Sequence, residues 1–235
     1  MKRLSIVALV FSIAFLVFFL GPPFLSMEFG PYPLMRVGDV FDLLTPLVLI
    51  PLYLCLYRLG EGRPVSLKGG IFFVAFAALW VLGQGMHLAA NSIGHLLENM
   101  RGIDALTLTG FYDEVLSHYL WHFGIFALSA LVIYRHWRAP VAPDRSMPWA
   151  PVIAAGVIYG FAYFAAVIEG ATTPAGVPFA GIAAVFLLVW GRKSLAREPV
   201  LAFFLVAYVL AAVLFLGWGI YWRGLPEFSD VGIID

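Results

Sequence analysis

The stretches GQGMHLAANSIGHLLEN (83–99) and FYDEVLSHYLWHFG (111–124) decide how this chain is read. They hold four of its five histidines and the adjacent Asp113 and Glu114, inside runs that are otherwise apolar and of membrane length. An ionisable side chain costs about 2.5–3.5 kcal/mol or more at the centre of a bilayer unless it is paired, hydrated or metal-bound, so such a cluster marks a functional site by default.

The chain around the cluster is that of a polytopic membrane protein. Hydrophobic residues make up 62% of the 235 and charged residues 12%, against roughly 45–50% and about 25% in a soluble domain. Apolar runs at about 3–20, 39–59, 70–96, 110–134, 148–169, 175–191 and 199–222 each approach or exceed the ~20 residues that cross a ~30 Å hydrocarbon core, the sixth being the shortest. These predict an all-α bundle of about seven transmembrane helices, a single domain over 1–235, in a cell or inner membrane. Pro46 and Pro51 fall inside the second run, where neighbouring helices or water can satisfy the freed carbonyls. The basic Met1-Lys2-Arg3 and the apolar run after it have the look of a signal peptide. FFLGPPFLS offers no small-residue cleavage site, which predicts an uncleaved first helix. Net charge is zero, so no nucleic-acid partner is expected and membrane lipids are. Cys55 is the only cysteine, which excludes an internal disulfide and a multi-cysteine metal site; it is read as a small apolar packing residue.

Orientation follows from the basic residues. With the N-terminus cytoplasmic, Lys2, Arg3, Arg58, Arg63, Lys68, Arg135, Arg138, Arg145, Arg192, Lys193 and Arg197 fall inside and only Arg36, Arg101 and Arg223 outside, the bias that sets topology in short loops. The C-terminus is then outside. Most acidic residues fall on the outer side, which suits a cation-attracting mouth or a metal site there.

Gln84, His87, Asn91, His95 and Glu98 are spaced by three, four, four and three, which draws one polar stripe along the third helix. On the fourth, Glu114, His118 and His122 recur every four residues, with Ser117 and Trp121 beside them. If the two helices are antiparallel neighbours, a rise of about 1.5 Å per residue brings His87 and His118 to matched depth, roughly 12 Å below the outer boundary, with Asn91 level with Glu114 and His122 a turn deeper. Asp42, Asp39 and Glu169 can join from the second and fifth helices. His136, in the basic YRHWR, is read as a solvated interfacial residue, and Tyr159 and Tyr163 as packing.

The run HYLWHFG, a histidine pair four apart with tryptophan before the second, resembles the HxxxH motif of the alkaline ceramidases and their relatives in the CREST group. Those are seven-helix membrane hydrolases in which the pair and a third histidine bind zinc, with a serine and an aspartate assisting. The resemblance implies His118 and His122 as the paired ligands and His87 as the third. It covers about seven residues. The family's pair lies on its last helix, and Gly83 stands where its serine would precede the lone histidine.

The residues themselves point to the same chemistry. Three neutral imidazoles and an open fourth position make a catalytic zinc site, where bound water becomes a nucleophile. Glu114 and Asp42 are the candidate catalytic carboxylates, as general base or as partners orienting an imidazole. His95, Asn91, Asp113, Ser117 and Glu169 are further candidates around the metal. The leading expectation is a zinc-dependent hydrolase of a lipid or other small amphiphile, reached from the outer leaflet. Two alternatives are a haem b redox protein, with His87 and His118 as axial ligands, and a cation or proton transporter using the same groups as a relay. Dinuclear iron fits less well, because Glu114-x-x-x-His118 is not the Glu-x-x-His of that class.

Overall fold

Hydrocarbon offers no water to backbone N–H and C=O groups, so each apolar run must bond within itself and become a helix. The computed structural model describes residues 2–59, 64–97, 99–100, 102–138 and 148–234. Arg63, Arg101 and Arg145, assigned above by their charge, and Glu98 of the polar stripe lie outside the described residues. The helices are α1 (Lys2–Leu20), α2 (Val37–Arg58), α3 (Leu67–Leu97), α4 (Asp104–Arg138), α5 (Trp149–Glu169), α6 (Thr173–Val189) and α7 (Pro199–Trp222). Six of these are long and apolar enough to cross a membrane, and α6 is a shorter apolar helix of 17 residues. The protein is a multi-pass membrane protein.

The core forms where α1, α2, α5 and α7 meet. Leu4, Ala8, Phe11 and Phe15 recur every three or four residues and are buried, so one face of α1 is turned inward. Phe11 meets Tyr53 of α2 at 4.6 Å and Tyr159 of α5 at 5.4 Å between ring centroids. The Tyr53 hydroxyl lies 2.8 Å from that of Ser129 and 3.0 Å from that of Tyr159, a buried triangle joining α2, α4 and α5. Tyr163 donates to the Gly176 carbonyl at 2.8 Å. Both tyrosines therefore serve packing. Cys55, read above as a small packing residue, is exposed on α2.

Small residues let backbones touch where no hydrophobic force separates helix from lipid. A Cβ on Gly160 would sit 2.5 Å from the Ala207 carbonyl, which brings α5 onto α7. Between α3 and α4, a Cβ on Gly83 would sit 2.5 Å from the Trp121 nitrogen and one on Gly124 2.8 Å from the Trp80 nitrogen. Those two contacts run in opposite senses, so α3 and α4 are antiparallel and in register, and residue 87 lies level with 117–118.

Helix ends fix the level of the cluster. Trp137 donates to the Trp190 carbonyl at 3.2 Å, so α6 reaches the same end of the bundle as α4 despite its length. At the other end α5 stops at Glu169, and the Gly170 carbonyl meets His118. Both Leu67–His87 and His118–Arg138 are about 30 Å long at 1.5 Å per residue, one hydrocarbon thickness. The cluster thus lies close to the level where α5 ends, and the last turns of α3 and the first turns of α4 project beyond that level. α4 begins at Asp104, before the expected residue 110.

Candidate functional site

A local change of helix type decides which carboxylate faces the histidines. Phe111–Ser117 is a π-helical turn inside α4, wider than 3.6 residues per turn and frequent at functional sites. It breaks the four-residue spacing on which Glu114 was aligned with His118. Asp113 is buried and stands 2.7 Å from His87 Nδ1, whereas Glu114 is exposed at the rim. The Ser117 hydroxyl is buried and bonds back to the Asp113 carbonyl within the turn.

His87 lies between two carboxylates. Its Nδ1 faces Asp113, in a contact whose angle falls short of a formed hydrogen bond, and its Nε2 is 3.9 Å from Asp42 Oδ2. A carboxylate oxygen at 2.7 Å from a ring nitrogen calls for a proton between them, on either atom. Asp42 is held on its other oxygen by Gln84 Nε2 at 3.3 Å, and the Gln84 oxygen accepts from Trp80 Nε1 at 3.3 Å. Gln84 is thereby oriented and in turn orients Asp42.

His118 stands beside His87 with 4.9 Å between ring centroids. Its Nδ1 is 3.1 Å from the Gly170 carbonyl. His122 Nδ1 is 2.9 Å from the His118 carbonyl and 3.1 Å from the Thr172 hydroxyl. A carbonyl only accepts, so both Nδ1 atoms donate and each Nε2 keeps its lone pair. His122 Nε2 is buried with no hydrogen-bond partner. This is the arrangement that orients metal-binding imidazoles: one nitrogen tied to an oxygen, the other available. The donors are not gathered, however: among the described residues no three His, Cys, Asp or Glu side chains stand together at ligating distance.

The remaining candidates separate. Asp39 accepts from the Arg36 backbone at 2.8 Å in a capping box, and from Ser92 and Asn91 at 3.2 and 3.4 Å, so it and Asn91 join α2 to α3. Glu169 accepts from the Phe228 amide at 2.9 Å and holds the segment after α7 against the end of α5. Glu227 in that segment has its carboxyl pushed up by partial burial and then by Glu169, Asp230 and Glu114. His95 lies partly exposed in the last turn of α3, two turns beyond His87.

The histidine stripes did not disclose Gly170 and Thr172. A Cβ on Gly170 would fall 2.7 Å from His122 Cε1, so only glycine lets this turn approach the two rings. A polar turn, EGATTP, closing a membrane run was the available signal. His136 corrects a second expectation. It is buried, not solvated, with Nδ1 2.9 Å from Glu198 Oε2 and Nε2 3.0 Å from the Leu56 carbonyl, because α2, α4 and α7 converge there.

No family model matches the chain, and no solved structure matches it. It is similar to the ceroid-lipofuscinosis neuronal protein 6 homolog of the dog, Canis lupus familiaris, at 26% identity over 168 residues, 61% of this chain and 51% of that protein. It is also similar to human ceroid-lipofuscinosis neuronal protein 6, at 25% identity with the same coverage. The chain spans about half the length of the curated relatives it matches.

Proposed function

We propose that this protein is a metal-dependent hydrolase of a lipid or other amphiphile, with its metal centre at the outer end of a seven-span bundle. The observation that carries the reading is the fixed tautomers of His118 and His122, each with Nδ1 tied to an oxygen and Nε2 left with its lone pair, beside a His87 that stands between Asp42 and Asp113. His87 and His118 would hold the ion, with Asp42 beside His87 as the base and the orphaned Nε2 of His122 one helical turn along α4 from His118. An imidazole-rich set suits zinc, with iron as the alternative. The 4.9 Å between the two rings favours a shared ion over haem b, whose macrocycle would have to lie between them.

Zinc would supply Lewis acidity, polarising the substrate carbonyl and acidifying water. The protein's own groups do the rest. Asp42, held by Gln84, takes a proton from the attacking water and returns it to the leaving group. The Gly170 carbonyl keeps His118 in the ligating tautomer, and Asp113 stands against Nδ1 of His87. Glu114, at the rim, adds negative potential at the mouth.

The cytoplasmic N-terminus and outer C-terminus belong to the same proposal. Arg3, Arg58, Lys68, Arg135, Arg138, Arg192, Lys193 and Arg197 lie at the helix ends that share the α1 N-terminus, with Arg36 and Arg223 at the opposite ends. A transporter reading gains from the buried His136–Glu198 pair and the Tyr53–Ser129–Tyr159 triangle, which add polar groups along the inner face of α4. Proton flux in liposomes tests it.

The hydrolase reading is tested on detergent-purified protein by elemental analysis and by release of product from ester- and amide-linked lipids. Near-stoichiometric zinc or iron is expected, lost in His87→Ala and His118→Ala and kept in His95→Ala. Asp42→Asn should lower turnover by about 10²-fold or more. Metal content indistinguishable between the parent and the His87→Ala/His118→Ala double variant would overturn the proposal.

A further inference from the structure

Pro46 has no N–H to give the Asp42 carbonyl one turn earlier, so α2 is left with an unpaid acceptor beside the Asp42 carboxylate. At that point a cavity of about 140 Å³ opens between α2 and α3, lined by Asp42, Leu43, Pro46, Leu47, Gln84 and Gly85. Its walls are apolar and its outer side is formed by the exposed Leu43 and Leu47, which face the lipid. Its inner end is polar, because Asp42 and Gln84 are buried there. At Gly85 the cleft has room for a side chain: a Cβ at that position would meet nothing within 4 Å.

Hydrocarbon outside, hydrocarbon walls and an acceptor-lined end define a path for an amphiphile entering sideways. The end offers a carboxylate, a freed backbone carbonyl and, close behind, His87 beside Asp113. Among the described residues no lysine or arginine lines it. An anionic headgroup would meet like charge, whereas a hydroxyl, amide N–H or amine would find acceptors. We propose that the cleft between α2 and α3 binds the alkyl chain of a membrane amphiphile whose headgroup carries N–H or O–H donors and no negative charge, and presents that headgroup to Asp42. As a substrate path this rests on the hydrolase reading; as a binding site it does not.

The experiment uses the full chain in nanodiscs with two photoactivatable probes of equal length, a long-chain amine and the matching carboxylate, and maps crosslinks by mass spectrometry. The amine should label the segments around Leu43–Leu47 and Val81–Leu88 at least tenfold more than the carboxylate. Gly85→Leu fills the cleft without meeting another atom at its Cβ, so it should abolish this labelling while metal content and melting temperature stay at parental values. Asp42→Asn should retain labelling but lose the preference for the amine. Equal labelling of the parent and Gly85→Leu, or equal labelling by the two probes in the parent, overturns the inference. Since labelling needs neither metal nor turnover, a protein that binds the probe in the cleft but carries no metal refutes the hydrolase and leaves the cleft assignment standing.

Discussion

Two buried histidine–carboxylate pairs lie at opposite ends of α4, and they are built differently. At one end His136 has both nitrogens engaged, one by Glu198 and the other by the Leu56 carbonyl. At the other, His118 and His122 each have Nδ1 engaged while Nε2 is left with its lone pair, and the His122 atom is buried. A saturated imidazole can only hold the fold together. A half-saturated one costs stability wherever it is buried, and such a group fits the proposed site. The comparison teaches that burial alone does not distinguish the two ends, whereas a count of satisfied ring nitrogens does, and it is the half-satisfied end at which we propose the chemistry.

The largest effect is expected from breaking the saturated end. His136→Ala removes the group linking α2, α4 and α7 and should destabilise the protein by about 3–5 kcal/mol, the range for a broken buried ion pair. Chemical unfolding in detergent measures this. Metal bound per folded molecule should not change, and a loss of metal as complete as in His118→Ala would erase the distinction between the two ends.

The second test sharpens the open end. Asp113→Asn replaces the carboxylate facing His87 and should weaken metal affinity by about 10–100-fold, as for other groups that orient a ligand. Glu114→Gln, one residue on but exposed, should change affinity by less than threefold, a limit drawn from the small worth of exposed charges, about 0–1 kcal/mol. Metal titration with a chromophoric chelator compares the two variants. Equal losses would mean that the π turn does not govern which carboxylate matters.

That turn also explains what the sequence could disclose. Helix positions follow from apolar run length, and α2, α5 and α7 lie within two residues of the expected spans. The pairing of His87 with His118 follows from a rise per residue common to both helices, and the structure brings them side by side. The choice between Asp113 and Glu114 depends on a rotation of one residue, which regular 3.6-residue spacing cannot register. His136 looked solvated because it sits among arginines; only the docking of Glu198 against it, 62 residues later in the chain, buries it. Gly170 and Thr172 act through backbone approach, which leaves no periodic trace.

Gly170→Ala probes the support of the open end from behind. The added methyl lies 2.7 Å from His122 Cε1 and 3.6 Å from His118 Nδ1, so it should cost about 1–3 kcal/mol of overpacking and turn both rings. Metal affinity should fall together with stability. If melting temperature falls while affinity stays intact, the turn supports packing alone and the Gly170 carbonyl does not set the His118 tautomer.

The smallest effect concerns the acidic segment after α7, near the proposed mouth. Partial burial, then Glu169, Asp230 and Glu114, push the Glu227 carboxyl above its ordinary value of 4.5. The folded state therefore holds this proton more tightly than the unfolded chain. Its stabilising contribution is complete below the ordinary carboxylate range and is lost as pH rises through the raised value. Glu227→Gln cannot lose that proton. Parent and variant should melt together near pH 4, and at pH 7 the variant should melt higher by no more than about 2 °C, as expected where an exposed charge is worth under 1 kcal/mol. Salt at 1 M, with a screening length of about 3 Å, should shrink the difference by weakening repulsion from Glu169 and Glu114. A variant less stable than the parent at pH 7 would show that the Glu227 charge is attracted rather than repelled there, and that the mouth is not the acidic surface proposed.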